Sequence, residues 1–294
     1  MSEPTGIFTM AAAAYHADPC EQPSLSSSIA HLLVTSSPRH AWTAHPKLNP
    51  AYEPIHDAKF DIGNVAHALL LEERDPEEAV VLVHADSWRT NAAKEQRDQA
   101  YEEGKTPLLA HQAEEVAAMM QATRGQLEQI EADPPLFKDG RAEQTLIWEE
   151  DGVTCRALLD WLRDDHAAID DLKTTSASAN PEKWTRTLYA IGSDVQAAFY
   201  LRGLRAVGQH PGWTDLSAFR FVVQETAPPY ALSVVSLGPA ALEIAESKVE
   251  YAISKWRECL ERDEWPAYPT KVCYAELPAY EEQRWLEREE REKV

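Results

Sequence analysis

The 294-residue sequence has few cysteines and no apolar stretch long enough to cross a membrane. Its four cysteines are far apart and none belongs to a Cys-x-x-Cys pair, which argues against a zinc site or an iron–sulfur cluster. A membrane span needs roughly 20 predominantly apolar residues in succession, and the N-terminal segment MSEPTGIFTMAAAAYHADP lacks the basic start and apolar core of a signal peptide. We therefore expect a cytoplasmic protein, outside any membrane, with reduced thiols.

Positive charge is also scarce. The chain carries 28 Lys and Arg side chains against 49 Asp and Glu, a formal net charge of −21. Nonspecific binding of nucleic acid depends largely on neutralisation of phosphates by Lys and Arg, so the average surface should repel DNA. The segment 173–208 differs, because it holds five basic and only two acidic residues. A polyanion would have to dock there or in a similarly sheltered groove.

The rest of the composition is that of a globular protein. With 44% apolar residues, only 11 Gly and 19 Pro, the chain is neither collagenous nor disordered. A chain of this length buries about three quarters of its unfolded surface. We predict one domain over 1–294, divided into an N-terminal helix and loop (1–60), a helical region (61–142), an α/β core (143–275) and a charged C-terminal helix (276–294).

Helices dominate the first half of the predicted element order. Residues 1–24 are interpreted as loop, and a helix is expected from the serines at 24–28 to Pro38. Three prolines make 43–60 an extended loop. A second helix begins at Asp61, and 88–132 form a solvated helical subdomain with a break near 104–107.

The periodicity changes at about residue 143. Short β-prone runs over 143–148, 153–162 and 167–173 are separated by turn residues and predict three adjacent strands. Two helices at about 180–190 and 192–207 follow, then strands near 218–224 and 230–237 and a helix from Pro239 to about Arg262. This order predicts an α/β fold with a central mixed sheet flanked by helices.

Three charged residues on two of these strands are candidates for chemistry. Side chains alternate along a strand, so Asp171 and Lys173 share a face, and Asp160 on the neighbouring strand can reach the same place. Two carboxylates beside an ammonium group can hold Mg²⁺ and steady charge on a phosphate. The alternative is a surface ion pair worth less than about 1 kcal/mol. Asp170 points the other way and is interpreted as a turn or surface residue.

Two helices offer further polar candidates. His67 lies one turn after Gly63 on the same helix face, and an imidazole is a competent metal ligand. The alternative is a histidine at the edge of an apolar face with a satisfied hydrogen bond. Gln196 and Tyr200 lie one turn apart and could reach a phosphate or the strand that carries the lysine. The alternative is that the neighbouring apolar residues of this helix pack in the core and leave Gln196 and Tyr200 at its rim.

Taken in order, these motifs resemble a known family. The chain contains, in this order, Gly63-x-x-x-His67, Gly152-x-x-Cys155-Arg156 ending in Asp160, Asp171-Leu172-Lys173-Thr174-Thr175 and Gln196-Ala197-Ala198-Phe199-Tyr200. This series is similar to the RecB-like branch of the PD-(D/E)XK nucleases. Within it the sequence most resembles phage and prophage RecE-type (exodeoxyribonuclease VIII-like) exonucleases. The segment Ser36-Ser37-Pro38-Arg39-His40-Ala41-Trp42 is similar to the N-terminal motif of that group, and the match covers roughly residues 24–275.

The resemblance implies a restriction-endonuclease-like core and a division of roles. A divalent metal, Mg²⁺ or alternatively Mn²⁺, would be held by His67, Asp160, Asp171 and the Leu172 carbonyl. Lys173 would be the catalytic lysine. Gln196 and Tyr200 would belong to the active-site helix, and Glu143 to an acidic wall. Expected DNA contacts are Arg39, His40, Lys183, Arg186 and Arg202.

The resemblance also implies a substrate and partners. Similar proteins degrade linear double-stranded DNA from the 5′ end, form ring-like homo-oligomers and act with a single-strand annealing protein in recombination. Leu158-Leu159 replaces the Arg-Pro that usually precedes the metal-binding aspartate, which removes a phosphate contact but keeps the ligand. The alternatives left open are an endonuclease or single-strand-preferring nuclease on the same core, and a non-catalytic module that binds DNA ends or a partner.

Overall fold

The computed structural model describes residues 5–54, 61–208 and 218–292. The elements of the first half are β1 (Gly6–Thr9), α1 (Ala12–His16), α2 (Ser27–Thr35), α3 (Pro38–Thr43), α4 (Asp61–Leu70), α5 (Pro76–Ala79), β2 (Val80–Val83), α6 (Asn91–Glu102), β3 (Thr106–Leu109) and α7 (Ala110–Leu127). The second half contains β4 (Gly140–Glu150), β5 (Val153–Arg163), β6 (Ala168–Thr175), α8 (Pro181–Ala190), α9 (Ser193–Val207), β7 (Ala218–Glu225), β8 (Leu232–Val235), α10 (Pro239–Arg262) and α11 (Ala279–Glu292).

The central sheet has six strands in the order β1-β4-β5-β6-β7-β8. Strands β6 and β7 are parallel, whereas every other neighbouring pair in this sheet is antiparallel. A parallel pair needs a crossover connection, and α8 and α9 lie within it. The predicted α/β fold with a mixed sheet flanked by helices is confirmed.

Local sequence explains where the helices around this sheet begin. The Ser26 side chain accepts the Ile29 amide at the start of α2, and Asn180 accepts two amides at the start of α8, where Pro181 occupies the first helical position. These caps satisfy amides that have no partner within the helix. Both starts agree with the predicted ones.

Helices cover both faces of the sheet. On one face α2, α9 and α10 enclose the larger core, which includes the fully buried Trp148, Trp184 and Trp256. On the other face α4 and α7 pack over Leu172 and Val222. Neighbouring residues of β6 therefore face different helix layers, and this alternation decides what each acidic residue contacts. None of the helices in the described ranges has the length and apolar character needed to cross a bilayer.

Residues 5–24 contain a strand and a short helix where the sequence predicts only a loop. Strand β1 pairs with β4, and Asp18 is buried at the centre of a polar cluster, where it accepts hydrogen bonds from Ser24 and pairs with His45 and Arg156 at 3.3 Å each. Burial alone would raise the pKa of Asp18, but the His45 hydrogen bond and the Arg156 charge lower it to about 2. These long-range partners, invisible in the local sequence, anchor the segment.

The helical region 61–142 also differs from the prediction. The expected break near 104–107 leads into strand β3, which pairs in parallel with β2. Both strands are only four residues long, too short for a clear alternating pattern.

The extended loop predicted over 43–60 lacks helix and strand at 44–54, and its residues 55–60 lie outside the described ranges.

Asp170 is a buried core residue, and its interpretation as a turn or surface residue is wrong. It is 0% exposed. Its carboxylate accepts the Phe137 amide at 2.9 Å and pairs with the buried Arg220 at 2.6 Å. Arg220 lies opposite Asp170 on the neighbouring strand β7, so the compensating charge comes from a residue 50 positions away.

We predict that Asp170→Ala lowers the free energy of unfolding by about 3–5 kcal/mol, because Arg220 would be left as an uncompensated buried charge. Asp164→Ala is the matched control, since its pair with Arg141 is exposed on both sides and should contribute at most about 1 kcal/mol. Urea denaturation at neutral pH measures both. Equal losses in the two variants would contradict the role given to Asp170.

Candidate metal and active site

The candidate site lies where β5 and β6 separate. The two strands pair at Trp161–Asp170 and Leu162–Ile169. At the next position the Asp160 carboxylate accepts the Leu172 amide at 2.8 Å. The Asp160 side chain thus accepts the hydrogen bond that a backbone carbonyl of a paired strand would otherwise accept. This bond satisfies the Leu172 amide and fixes the Asp160 carboxylate where the strand pairing ends.

Asp171 and Lys173 lie together on one face of β6, as the alternation predicts. Asp171 is fully buried, forms an ion pair with the Lys173 ammonium group and accepts a hydrogen bond of 2.6 Å from the Gln196 amide. Gln196 comes from α9, which packs over this face. The structure therefore brings an aspartate, a lysine and a glutamine from two elements into contact.

His67 approaches from the opposite helix layer. Its Nε2 atom is 3.2 Å from Asp160 Oδ1, and its Nδ1 atom is 3.2 Å from Glu143 Oε1 on β4. Helix α4 can come this close to the sheet because Gly63 lies over Thr174, where a Cβ atom would be only 2.9 Å from Oγ1. The spacing of Gly63 and His67 thus has a structural reason.

Glu72 is a site residue that sequence reasoning missed. Its carboxylate is 3.8 Å from His67 Nδ1. Helix α4 ends in a wide turn in which the Glu72 amide bonds to the His67 carbonyl, and Glu73 then adopts a left-handed conformation with φ 52°. This turn folds Glu72 back beneath the histidine. Nothing in the apolar stripe of the helix signals it.

Glu143 occupies a strained position. Its φ of 53° places a non-glycine residue in the left-handed region in the middle of strand β4. Such a conformation costs on the order of 1–3 kcal/mol and persists only where the surrounding structure enforces it. In this conformation the Glu143 carboxylate faces His67 and joins the cluster formed by His67, Asp160 and Glu72.

The pKa values record an excess of negative charge. Burial would lower the pKa of His67, but Asp160, Glu72 and Glu143 raise it to about 10. Burial and the neighbouring acids raise the pKa of Glu143 to about 7 and that of Asp171 to about 6, despite the opposing charges of His67 and Lys173. The pKa of Asp160 is lowered, because His67 and Lys173 outweigh its burial.

This cluster fits a divalent cation. Four carboxylates (Glu72, Glu143, Asp160 and Asp171) face two cationic side chains, His67 and Lys173. One ligand atom from each of His67, Glu72 and Glu143 lies within 4.8 Å of the others. Hard oxygen ligands suit Mg²⁺ and similar ions, and imidazole ligates as a neutral group. A bound cation would take over the compensating charge that the histidine now supplies.

The site opens onto a cleft of about 1140 Å³. His67, Glu143, Asp160 and Gln196 line it, together with Tyr200, whose pKa burial raises well above its usual value. The serines at the start of α2 and several residues between Glu72 and Thr106 also line the cleft. Part of the helical region predicted over 61–142 therefore lines the cleft.

The predicted DNA contacts lie elsewhere. Lys183 and Arg186 are on the exposed side of α8, and Arg202 pairs with Glu150 and Glu246. The other two are in α3: Arg39 stacks on Trp42, and the His40 ring lies 5.4 Å from that of Tyr268 in the C-terminal segment. None of these five is among the described residues that line the cleft.

The close approach of α4 can be tested by adding a methyl group. Gly125→Ala, within α7 and with open space around it, should raise the free energy of unfolding by about 0.5–1 kcal/mol, since alanine favours the helix. Gly63→Ala should bring no such gain, because the methyl group meets Thr174. Urea denaturation measures both changes.

A double-mutant cycle isolates the contact. In a Thr174→Ala background the obstructing oxygen is absent, so Gly63→Ala should recover the gain seen at Gly125. If Gly63→Ala stabilises the unmodified protein as much as Gly125→Ala does, the close approach is not a constraint.

Comparison with known proteins gives the family. The sequence matches the family model described as PDDEXK-like domain of unknown function (DUF3799) over residues 32–278, which is most of the chain. No curated protein sequence matches it.

One solved structure supports the fold. The crystal structure of a proposed exonuclease from Eubacterium rectale aligns with a TM-score of 0.60 at 15% identity, covering 92% of this chain and 97% of the other. A phage-related exonuclease from Haemophilus somnus 129PT aligns at 10% identity over 72% of this chain and 98% of the other, with a TM-score of 0.29. The resemblance to PD-(D/E)XK nucleases is confirmed: the chain belongs to the PDDEXK-like family DUF3799 and is a metal-dependent nuclease.

Proposed function

We propose that this nuclease is a Mg²⁺-dependent exonuclease that degrades linear double-stranded DNA in the 5′ to 3′ direction. The observation that carries the proposal is the convergence of the half-buried Asp160, which lines an open cleft, with the buried Asp171 and its ion-pair partner Lys173. Carboxylates at one end of a sheet beside an ammonium group are suited to hydrolysis of a phosphodiester.

His67, Asp160, Asp171 and the Leu172 carbonyl are the proposed metal ligands, with Glu143 and Glu72 as the acidic wall beside them. When bound, the cation would lower the pKa of a water molecule and offset the charge that develops on the phosphate. Mg²⁺ is favoured over softer metals because most of these donors are oxygens. Mn²⁺ prefers similar ligands and should substitute for it.

The protein's own residues supply position and charge. Lys173, held by Asp171, can donate an N–H to the attacking water or to an oxygen of the scissile phosphate. Gln196 fixes the Asp171 carboxylate from α9. Tyr200, one turn further along the helix, lines the cleft, where its ring can lie against the substrate.

The proposed substrate and setting are consistent with the charge of the chain. A chain of charge −21 can admit DNA only where local cations offset the repulsion, which favours a cleft that receives an end. By resemblance, the proposed context is phage-type recombination in the bacterial cytoplasm, with a ring-like homo-oligomer and a single-strand annealing protein as partner.

We expect Lys173→Ala and Asp160→Ala to abolish Mg²⁺-dependent degradation of linear duplex, because the first removes the charge at the phosphate and the second a metal ligand. Lys183→Ala, on the outer side of α8, is the matched control for the loss of a lysine. A time course on end-labelled duplex, with a closed circle of the same sequence alongside, measures the activity. Circular dichroism checks the fold.

Each part of this experiment has an outcome against the proposal. Activity that survives loss of Lys173 or Asp160 would refute the roles given to them. Cleavage of the closed circle would replace the exonuclease with an endonuclease. Release of label from the 3′ end first would reverse the polarity.

Glu143→Gln should have two opposite effects on thermal stability. Without divalent cations at pH 8 it should raise the Tm, because the folded protein no longer holds a carboxylate whose pKa is raised to about 7. When Mg²⁺ is added, the Tm of Glu143→Gln should rise less than that of the unmodified protein, since a ligand that binds the native state stabilises it more when it binds more tightly.

Glu149→Gln, an exposed neighbour on the same strand, is the control and should leave both values unchanged. Differential scanning calorimetry with EDTA and with Mg²⁺ measures the shifts. A lower Tm of Glu143→Gln in EDTA, or an undiminished response to Mg²⁺, would exclude Glu143 from the metal site.

A further inference from the structure

The cleft is acidic inside. Asp61, Glu72, Glu143 and Asp160 all line it, and the phosphate backbone of DNA is repelled by each of them unless a cation lies nearby. The cationic side chains on the cleft walls therefore decide where a DNA backbone can run.

Three residues with a permanent positive charge line the cleft in the described part of the chain: Arg74, Lys105 and Arg156. Arg156 is buried and its charge is matched by Asp18 at 3.3 Å. It holds the N-terminal segment in place and cannot reach a ligand without breaking that pair. Arg74 and Lys105 are left as the cations of the cleft wall.

Arg74 and Lys105 come from different elements and meet at one place. Arg74 Nη2 donates to the Glu78 carbonyl at 3.1 Å, and Lys105 Nζ donates to the Glu77 carbonyl at 3.1 Å. These are consecutive carbonyls of the short helix α5. Because the partners are neutral carbonyls, neither of these bonds cancels the positive charge. His67 and, to a smaller extent, the Arg74 charge also lower the pKa of the nearby Glu72 carboxyl, so Arg74 is partly balanced by that acid.

The chain reversal after α4 brings Arg74 to this position. With Glu73 in the left-handed conformation, the Arg74 amide bonds back to the Ala68 carbonyl. The same turn holds Glu72 beneath His67, so the arginine is fixed only two residues from the metal cluster. Lys105 is set on the same wall by the connection between α6 and β3.

We propose that Arg74 and Lys105 form a clamp for the DNA phosphate backbone, on the cleft wall built by the region from α4 to β3. The proposal rests on the proposed function and deepens it, since it identifies double-stranded DNA contacts that differ from the sequence-predicted Arg39, His40, Lys183, Arg186 and Arg202. Contacts of this kind position the duplex without reading its sequence, as a nonspecific exonuclease requires.

The test is the salt dependence of DNA binding, which counts phosphate contacts. Each phosphate contact contributes about 0.9 to the slope of log affinity against log salt. The double variant Arg74→Gln/Lys105→Gln should therefore lose about 1.8 from that slope. Fluorescence anisotropy of a labelled blunt duplex, with EDTA present and NaCl varied, measures it independently of cleavage.

Three further variants make the result specific. Lys94→Gln removes one charge from an exposed position on α6 away from the cleft and should leave the slope unchanged. Arg74→Lys/Lys105→Arg keeps both charges and should keep the slope. Lys183→Gln/Arg186→Gln removes the rival pair on α8 and should change the slope less than the cleft pair does. Thermal melting verifies that each variant is folded.

The outcomes separate this inference from the proposed function. An unchanged slope in Arg74→Gln/Lys105→Gln, or an equal loss in Lys94→Gln or in the α8 variant, overturns the clamp even if Mg²⁺-dependent cleavage persists. The expected loss of slope supports the clamp even if no exonuclease activity is found. Absence of DNA binding by the unmodified protein overturns both.

Discussion

The carboxylate of Asp160 holds the amide of Leu172 at the point where two central strands separate, and the rest of the site depends on that contact. Without it the end of β6 would carry an unsatisfied amide beside a buried acid, and both are costly. With it, two aspartates on adjacent strands are fixed side by side. The helices on the two faces of the sheet then supply the remaining groups, His67 from one layer and Gln196 from the other.

Charge is the second constraint on this molecule. The site holds more carboxylates than cations, and the raised pKa values of Glu143 and Asp171 are the physical sign of that excess. A protein of net charge −21 that acts on a polyanion must gather its few cations where the substrate passes. The two on the cleft wall bond to neutral carbonyls, whereas Arg202 and Arg220 pair with acids.

Local sequence predicted most of the fold and part of the site. Hydrophobic periodicity and turn residues located the strands around 143–173 and the long helix from Pro239, because these elements are long enough to show their period. Alternation along β6 placed Asp171 and Lys173 on one face. The same alternation placed Asp170 on the opposite face. It could not show that Arg220, 50 residues later in the chain, lies next to Asp170 and compensates its buried charge.

By itself, the sequence determined the fold class, the nuclease family and the residues that carry the family's motifs, since these reside in spacing and residue type. Only the tertiary structure decided that Glu72 lies beside His67, that residues 6–16 contain a strand and a helix, and that the region from α4 to β3 lines the cleft. The physical reason is the same in each case. A chain reversal, a distant strand partner or a buried counter-charge fixes these positions, and contacts between residues far apart in the chain leave no local pattern to read.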